Sequence, residues 1–370
     1  MAEHTDEFYM RRALSLAQRG KGRTSPNPTV GAVVVRRGVI VGEGYHRGPG
    51  RDHAERVALR KAGAKAQGGT LYVNLEPCCH TGRTGPCTET IVQAGIFRVV
   101  YSVRDSDRRV MGKGARQLQR AGVRVERGLL KQAAVALNEG YFHYHRYGRP
   151  LVILKMAQTL DGRIATVGGD SKWISGKESL RLAHRLRAEA DAVMVGMGTV
   201  RNDNPALTVR RVRGENPYRI ILSASLRFPR RCGLLDDIDD GKTIVAANRR
   251  LLQKSAITNR CRRANLIWWG LSADRNGLVD LHELLAHCGE FGMRSLLVEG
   301  GNRLATSFLK AGLVDKCVLI TAPIVVGDGI SAVGDMGVKK LAEAVAFERC
   351  SFEKCGRDYV FVGYPKRKVD

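Results

Sequence analysis

The sequence predicts an α/β protein with two domains. Short runs of β-branched residues alternate with helical patterns along the whole chain, which is typical of sheets covered by helices. At 370 residues the chain is long enough for two cores of ordinary size. The turn Gly148-Arg149-Pro150 fits a boundary between them. We therefore expect one domain over residues 1–147 and a second over residues 148–370.

The composition is that of a soluble globular protein, with 44% hydrophobic and 26% charged residues. The nine cysteines are odd in number and scattered, which favours metal ligands and buried thiols over a disulfide framework. The first ten residues are partly acidic and lack the apolar segment of a secretory signal. We expect a cytoplasmic protein without a membrane partner.

The charge is strongly basic, with 61 Lys and Arg against 36 Asp and Glu, a formal net charge of +25. Such a charge can bind nucleic-acid phosphates or steer small anionic substrates. The basic residues are spread along the chain in pairs, and no aromatic residues interleave with them. This distribution favours the small anion, and we do not expect a nucleic-acid partner.

The first half predicts an α/β/α sandwich. An amphipathic helix opens it, and valine-rich strands follow on either side of the turn Arg36-Arg37-Gly38. A later helix has Asp52 as its expected N-cap. The predicted elements are, in order, helix Asp6–Arg19, strands Gly31–Val35 and Val39–Val41, helix His53–Ala66, strand Thr70–Leu75, helix Cys87–Ala94, strand Phe97–Val103, helix Gly114–Arg120, strand Val123–Glu126 and helix Leu130–Tyr147.

The second half predicts another α/β array, which starts with a buried strand. No Gly-x-Gly-x-x-Gly pattern follows a strand, so a Rossmann dinucleotide site is not supported. The predicted elements are strand Leu151–Ala157, helix Gly176–Ala190, strands Ala192–Val195, Tyr218–Leu222, Thr243–Ala247 and Leu266–Trp269, helix Leu281–Cys288, strand Ser295–Val298, helix Gly301–Ala311 and strand Lys316–Ile320.

A zinc site is predicted by His53, Cys78 and Cys87, with Glu55 beside it. A catalytic zinc takes three protein ligands and keeps a fourth position for water. His-x-Glu with a later Pro-Cys is the signature of zinc deaminases, in which the glutamate transfers protons and does not bind the metal. Residues two apart share a face only at a helix end, so His53 and Glu55 must lie in a first helical turn.

Two alternatives at this cluster stay open. His80 could act as a fourth protein ligand, and the zinc would then be structural, leaving Glu55 without a role. Cys79 could compete with Cys78 for the metal. The order of the ligands along alternating strands and helices favours a catalytic site.

Three strand-to-turn segments carry polar or glycine residues in the second half. Lys155 lies on a strand that ends before Asp161-Gly162, and the strand at 191–195 leads into a turn of small residues. Glu299-Gly300-Gly301 opens a helix whose N–H groups could meet a phosphate. Tight packing explains each turn equally well when it is taken alone.

Taken together, these motifs resemble the bifunctional riboflavin-biosynthesis deaminase/reductase family over Asp6 to about Gly327. The resemblance rests on the stretches 24–33, 44–46, 53–55, 75–87, 155–163, 171–176, 184–188, 198–200, 203–210 and 299–301. It implies a cytidine-deaminase-like α/β/α sandwich followed by a dihydrofolate-reductase-like α/β domain. Zinc and NADPH are the implied cofactors.

The implied reaction sequence has two steps on one small phosphorylated pyrimidine. The substrate, 2,5-diamino-6-ribosylamino-4(3H)-pyrimidinone 5′-phosphate, is first deaminated by hydrolysis. The ribosyl group is then reduced to ribityl with NADPH, which gives 5-amino-6-ribitylamino-uracil 5′-phosphate. We also expect the chain to form a homo-oligomer.

The resemblance implies roles for further residues, with Arg187 and Arg210 suited to phosphate. The proton donor of the reduction stays open between Lys155 and Asp161. Positions near the pyrimidine in the deaminase are Asn27, His46, His80 and Asp105. Substrate positions in the reductase are Ser171, Arg187, Leu207, Arg210 and Glu299. Cofactor positions are Ala157, Trp173, Thr199, Asp203, Gly301, Asn302, Arg303, Leu304, Ala305, Thr306 and Ser307.

Two positions depart from the family pattern. Cys79 stands where serine is usual, and Asp105-Ser106-Asp107 stands in place of Asp-Pro-Asn. The second departure affects an expected substrate contact and leaves the zinc chemistry intact. A tRNA-type deaminase is the rival enzyme, but it would need stacking aromatics on a basic sheet, and only 6% of residues are aromatic. A binding protein without activity would have lost Glu55, Cys87, Lys155 or Glu299, and the chain retains them.

Overall fold

A computed structural model of the chain describes residues 5–81, 85–236, 241–254, 265–275 and 277–366. The chain divides into two compact units, Met1–Gly148 and Arg149–Asp370. Each unit has one large sheet, and hydrophobic clusters pack on both faces of each sheet. Among the described residues, no helix is long and apolar enough to cross a membrane.

The first unit has a five-stranded sheet in the order β2-β1-β3-β4-β5. Strand β1 is antiparallel to β2 and β3, whereas β3, β4 and β5 are parallel. Successive residues of β1 point to opposite faces of the sheet. Val33 packs in the hydrophobic cluster that contains the first helix of the unit, and Val34 packs in the cluster that contains the second helix. The elements are α1 Asp6–Gln18, β1 Gly31–Arg36, β2 Val39–Tyr45, α2 Ala54–Ala62, β3 Thr70–Leu75, α3 Cys87–Gln93, β4 Arg98–Val103, α4 Lys113–Arg120, β5 Arg124–Arg127, α5 Lys131–Leu137 and α6 Glu139–Tyr147.

The predicted start and end of the helix after β2 are wrong. Helix α2 begins one residue later than predicted, with His53 and not Asp52 as its N-cap, and a 3-10 turn over Gly63–Ala66 replaces its last residues. The Asp52 carboxylate pairs with Arg60 and is not used as a cap. Gly63 ends the helix because its φ of +54° is open to glycine at little cost. His53 and Glu55 therefore flank the first turn.

The predicted helix Leu130–Tyr147 is two helices, α5 and α6, which meet at Asn138. The Asn138 side chain accepts a hydrogen bond from the Thr29 N–H (2.7 Å) and donates one to the Thr29 carbonyl (2.9 Å). Asparagine readily exchanges helical geometry for such side-chain bonds to the backbone. This break fixes the segment that leads into β1.

The second unit has a nine-stranded sheet in the order β11-β10-β9-β8-β12-β6-β13-β16-β15. The strands from β11 to β13 are parallel, and β16 and β15 close the sheet in antiparallel fashion. The elements are β6 Leu151–Thr159, β7 Arg163–Thr166, α7 Lys177–Glu189, β8 Ala192–Gly196, α8 Met197–Asp203, β9 Tyr218–Ser223, α9 Gly233–Asp236, β10 Thr243–Asn248, α10 Arg249–Lys254, β11 Leu266–Leu271, α11 Leu281–Glu290, β12 Ser295–Val298, α12 Asn302–Lys310, β13 Lys316–Ala322, β14 Gly329–Ser331, β15 Phe347–Cys355 and β16 Asp358–Pro365.

Several elements of this unit were not predicted. Strands β7 and β14, which pair with each other, and helices α8 to α10 have only three to seven residues each, too few for a periodic pattern. The expected turn of small residues after β8 is the helix α8. Strand β15 is exposed along nearly its whole length, so it lacks the alternation that marks a half-buried strand.

A buried ion pair ties the start of the second unit to its core. The Asp315 carboxylate accepts both arms of Arg149 (2.6 and 2.9 Å) and the Val152 N–H (2.9 Å), and its side chain is 5% exposed. We expect Asp315→Ala to lower the free energy of unfolding of this unit by about 3 kcal/mol, because it leaves the half-buried Arg149 without its carboxylate and the Val152 N–H without its acceptor. Denaturant titration would measure the loss.

The matched control is Arg249→Ala, which removes the exposed pair with Glu283 in the same unit. It should cost less than about 1 kcal/mol. Equal losses in the two variants would contradict the structural role given to Asp315.

Candidate functional site

One edge of the five-stranded sheet collects the predicted residues of the first unit. The amino end of β1 and the carboxyl ends of β2, β3 and β4 meet there, because β1 is antiparallel to both of its neighbours. Asn27 precedes β1, His46 follows β2, and Cys78 and Asp105 follow β3 and β4. The topology thus brings together residues that lie up to 78 positions apart.

The three predicted zinc ligands converge at this edge. The His53 Nδ1 lies 3.3 Å from the Cys87 Sγ and 3.4 Å from the Cys78 Sγ, and all three ligand atoms lie within 4.8 Å of one another. Tetrahedral zinc with Zn–S of about 2.3 Å and Zn–N of about 2.0 Å places nitrogen and sulfur about 3.5 Å apart. The donor set and its spacing therefore fit zinc.

Two helix starts place these ligands. His53 caps α2, and Cys87 is the first residue of α3, with its own N–H donating to the Cys78 Sγ (3.4 Å). N–H groups at a helix start favour thiolate charge. In keeping with this, the pKa of the Cys78 thiol is lowered to about 4, chiefly because the Cys87 thiol donates a hydrogen bond to it, and the pKa of Cys87 is raised for the same reason. These contacts favour the thiolate form of Cys78, which is the form that binds a metal.

Glu55 is 4% exposed and lies in the first turn of α2, beside the ligands. Burial raises the pKa of its carboxyl, with the Cys78 thiolate as the next cause. Among the described residues it is absent from the metal-ligating group, which contains His53, Cys78 and Cys87. Its position fits a proton carrier next to the metal.

His46 and Asn27 form a fixed pair next to His53. The His46 Nδ1 lies 3.1 Å from the Asp52 carbonyl, which can only accept, so Nδ1 carries the proton. The neutral Nε2 then accepts from the Asn27 amide (3.1 Å). The His46 and His53 rings meet edge to face at 5.5 Å. Burial lowers the pKa of His46, which keeps this ring neutral.

The alternatives for the metal ligands find no support in the geometry. The Cys79 Sγ points at the Arg109 carbonyl (3.8 Å), and neither Cys79 nor His80 belongs to the metal-ligating group of the described residues. The His80 Nδ1 is buried without a hydrogen-bond partner in the described part of the chain. Gly82, Arg83 and Thr84, within the motif between the two cysteines, lie outside the described residues.

The side chains of Asp105 and Asp107 both find partners within the structure. The Asp105 carboxylate accepts from the Tyr141 hydroxyl (2.8 Å) and from the Asp107 N–H (2.8 Å), and burial raises its pKa to about 6. Asp107 is paired with the guanidinium of Arg109 (2.6 Å). The aspartate at position 107 thus faces a cation of its own loop.

Glu76 has a positional role that the sequence reading missed. Its carboxylate is 2% exposed and accepts from the backbone N–H groups of Asp105 (3.3 Å), Gly112 (2.9 Å) and Ala115 (3.1 Å). Glu76 therefore ties the loop after β4 to the strand end that leads to Cys78. The only hint in the sequence was a charged residue at the end of an otherwise apolar strand.

A second cluster lies in the second unit, around Glu299 at the end of β12. The Glu299 carboxylate, 8% exposed, accepts two bonds from Arg187 of α7 (2.7 and 2.8 Å). Burial alone would raise the pKa of Glu299, but the bonds and charge of Arg187 outweigh it and lower the pKa. Lys155 of β6 interacts with the same carboxylate, and burial lowers the pKa of its ammonium group.

Arg187 and Arg210 differ in what they leave available. The Nε and Nη2 of Arg187 both donate to the Glu299 carboxylate, and its Nη1 donates to the Thr208 carbonyl (3.4 Å). Arg210 is exposed, and one of its nitrogens donates to the Thr208 hydroxyl (3.1 Å). The predicted pairing of Arg187 with a phosphate stays a prediction, and Arg210 presents an exposed guanidinium.

Asp161 is bound within a loop and has no proton to give. Its carboxylate accepts from the Thr159 hydroxyl (2.5 Å) and from the N–H groups of Val326 (3.2 Å) and Gly327 (2.7 Å). These bonds, that of Thr159 first, lower its pKa to about 2. Asp161 thus stays ionised at neutral pH.

Glycines at the carboxyl edge of this sheet leave open space. A Cβ at Gly196 or Gly198 would meet nothing within 4 Å, and one at Gly301 would come no closer than 3.9 Å to the Thr199 hydroxyl. Thr199 and Gly301, two predicted cofactor positions, are therefore neighbours. An open cradle beside the start of α12 fits the phosphates of a dinucleotide such as NADPH.

Only part of the predicted segment 301–307 faces this cradle with its side chains. Leu304 and Ala305 are packed in the hydrophobic core, 8% and 0% exposed. The Thr306 hydroxyl donates to the Asn302 carbonyl (2.7 Å) and accepts from the Gly334 N–H (2.7 Å). What this segment offers a cofactor is mainly the backbone N–H groups of the helix start.

The remaining predicted positions of this unit differ in exposure. Trp173 is 67% exposed, whereas Leu207 is 2% exposed and has a φ of +54°. Burial raises the pKa of Asp203. Ala157 and Ser171 are partly buried.

An apolar cavity of about 570 Å³ lies on the other face of β6. Leu154, Met156 and Gln158 line it, and they alternate along the strand with Lys155 and Ala157. The cavity is thus separated by the sheet from the predicted reductase residues and is no part of that site.

Comparison with known proteins agrees with this two-site arrangement. Residues 150–361 match the family model described as the RibD C-terminal domain, and residues 3–103 match the cytidine and deoxycytidylate deaminase zinc-binding region. The riboflavin biosynthesis protein RibD of Aquifex aeolicus is 44% identical over 361 residues, which are 97% of this chain and 98% of that protein. The corresponding protein of Escherichia coli is 40% identical over 95% of this chain and 97% of that protein.

Solved structures agree over the whole chain. Acinetobacter baumannii RibD superposes with a TM-score of 0.85 at 33% identity, covering 98% of this chain and 99% of that chain. A Thermotoga maritima diaminohydroxyphosphoribosylaminopyrimidine deaminase/5-amino-6-(5-phosphoribosylamino)uracil reductase does so with a TM-score of 0.84 at 34% identity, covering 97% and 98%. The expected pair of deaminase-like and reductase domains is confirmed. The chain belongs to the RibD family of bifunctional riboflavin-biosynthesis enzymes, with a zinc-dependent deaminase and an NADPH-dependent reductase in one polypeptide.

Proposed function

We propose that the first unit deaminates 2,5-diamino-6-ribosylamino-4(3H)-pyrimidinone 5′-phosphate and that the second unit reduces the ribosyl group of the product to ribityl. The observation that carries the proposal is the convergence of His53, Cys78 and Cys87 beside the buried Glu55. The name printed for the Thermotoga maritima structure supports the same pair of reactions.

The deamination needs an activated water and a proton carrier. His53, Cys78 and Cys87 would hold the zinc, which would supply Lewis-acid activation of a water molecule. Glu55 is placed to take a proton from the water as its oxygen bonds to the ring carbon, and to give that proton to the amino nitrogen as the C–N bond breaks and ammonia leaves. The amide of Asn27 and the rim residues His80 and Asp105 are suited to hold the polar edges of the pyrimidine, and His46 fixes the Asn27 amide.

The reduction needs a bound phosphate, a hydride and a proton. NADPH, when bound, would supply the hydride for C1′ of the ribose. The open edge beside Thr199 and the start of α12 binds the cofactor through backbone N–H groups, and Trp173 and Asp203 flank it. Arg210 holds the substrate phosphate through its exposed guanidinium. Ser171 and Leu207 complete the substrate side, and Ala157 completes the cofactor side.

The proton for the sugar oxygen comes from the Lys155–Glu299 pair and not from Asp161. Lys155 has a pKa lowered by burial, which makes its ammonium a better acid, and it interacts with Glu299. Asp161 stays ionised within its loop. Arg187 positions the Glu299 carboxylate in this scheme and does not hold phosphate.

The cellular setting is part of the same proposal. The described cysteines are all free thiols, which supports a reducing cytoplasm. The exposed strand β15 at the sheet edge, with Phe352 75% exposed, supports a homo-oligomer that covers it.

Zinc removal tests the proposed division of labour. Purified zinc-loaded protein given the diamino ribotide and NADPH should release ammonia and consume NADPH in equal amounts. Chelation of zinc should stop both signals, whereas NADPH consumption with the deaminated intermediate should persist because Lys155 and Glu299 bind no metal. Loss of activity on the intermediate after chelation, restored by zinc, would contradict the division.

A further inference from the structure

The turn between β15 and β16 approaches the start of α7 closely. Gly356 in this turn has a φ of +63°, and a Cβ there would lie 2.4 Å from the Glu178 carboxylate. The hairpin tip thus lies against the Glu178 side chain in the first turn of α7.

Asp358 binds the backbone where α7 starts. The N-cap residue of this helix is Gly176, which has no side chain to accept from the first N–H groups. The Asp358 carboxylate, on a residue that is fully buried, accepts from the Gly176 N–H (2.7 Å) and from the Ser179 hydroxyl (2.5 Å). A carboxylate at this end of a helix is also favoured by the helix dipole.

Arg357 holds the chain just before that cap. Its Nη2 donates to the Ile174 carbonyl (3.2 Å), and its Nε lies 3.6 Å from the Asp358 carboxylate. Two adjacent residues of the hairpin tip thus form hydrogen bonds with the backbone at Ile174 and Gly176. These positions directly follow Trp173, whose ring is 67% exposed.

We propose that Arg357 and Asp358 are positioning residues of the reductase, which hold the loop 171–176 so that Ser171 and Trp173 meet the substrate and NADPH. The inference rests on the proposed function, which assigns those two contacts. The contacts of Arg357 and Asp358 fix the carboxyl side of the loop, whereas its amino side is held separately by bonds to the side chains of Thr166 and Asp170. Loss of the contacts of Arg357 and Asp358 therefore loosens the loop without removing a group that touches the reactants.

The test compares Arg357→Ala with wild-type full-length protein. We expect the Kd of NADPH, measured by energy transfer from tryptophan to the nicotinamide, and the KM of NADPH to rise about fivefold, the loss of one charged hydrogen bond that orders the loop. Ammonia release from the diamino ribotide should be unchanged. Asp358→Asn should show the same pattern more strongly, and Arg357→Lys should restore part of the affinity.

Lys354→Ala is the matched control, since Lys354 is an exposed cation of the same hairpin. It should bind NADPH as wild type does. Unchanged Kd and KM of NADPH in both Arg357→Ala and Asp358→Asn would overturn the inference. It would also be overturned if the kcat of NADPH oxidation fell at unchanged KM while ammonia release fell by the same factor. A wild-type protein that does not bind NADPH would overturn the proposed reductase function as well, so the two failures are distinguishable.

Discussion

Glu55→Gln is expected to lower the kcat of ammonia release by about 10³-fold, within the range by which a positioned acid-base group accelerates proton transfer. Glutamine keeps the shape of the side chain, which is 4% exposed, but it can neither take a proton from water nor give one to ammonia. The zinc content of the purified variant should stay at one ion per chain, because Glu55 is not a ligand in the described cluster. Ammonia assays and metal analysis on the same sample give both numbers.

The matched control for this variant is Glu89→Gln, which makes the same chemical change on an exposed carboxylate of α3. It should release ammonia at the wild-type rate. A Glu55→Gln protein that retains zinc and still releases ammonia within tenfold of wild type would show that another group carries the proton.

Glu299→Gln is expected to lower the kcat/KM of NADPH oxidation with the deaminated intermediate by about 10²-fold, similar to the loss of one electrostatic contact at a reacting centre. The variant removes the charge that Lys155 and Arg187 both face, and leaves the buried Arg187 cation without its partner. Ammonia release should be unchanged, and NADPH binding by fluorescence should remain, which shows that the second unit is folded.

An exposed carboxylate of the same unit provides the control. Glu290→Gln, at the end of α11, should oxidise NADPH as wild type does. A wild-type kcat/KM in Glu299→Gln would show that Lys155 and Glu299 do not supply the proton for the sugar oxygen. The proton donor would then have to be sought again, with the loop residue Asp161 as the other candidate.

Much of the fold and of the zinc site could be predicted from the sequence, because strand periodicity and ligand chemistry are local signals. The strand Thr70–Leu75 has the predicted bounds, and the ligand residues lie at the ends of elements whose order was predicted. The N-cap of α2 was wrong because Asp52 is drawn away by Arg60, a partner two turns into the helix. Local cap preference could not reveal that competition.

Long-range contacts account for the other differences. The break at Asn138 depends on Thr29, which lies 109 residues earlier. The bonds between Arg187 and Glu299, which lie 112 residues apart, were also not visible in the sequence, where both residues were assigned to the substrate. The hairpin tip at Arg357 and Asp358 carried no motif, and its contacts with α7 span about 180 residues. Local sequence patterns do not reveal which residues pair over such distances along the chain.

The most direct test of two separate sites used in sequence is NADPH oxidation by zinc-loaded Glu55→Gln protein, given first the diamino ribotide and then the deaminated intermediate. We expect no oxidation with the first compound and a wild-type rate with the second. Absence of oxidation with the intermediate, in protein that binds NADPH, would contradict it, because a defect confined to the zinc site would then have silenced the reductase.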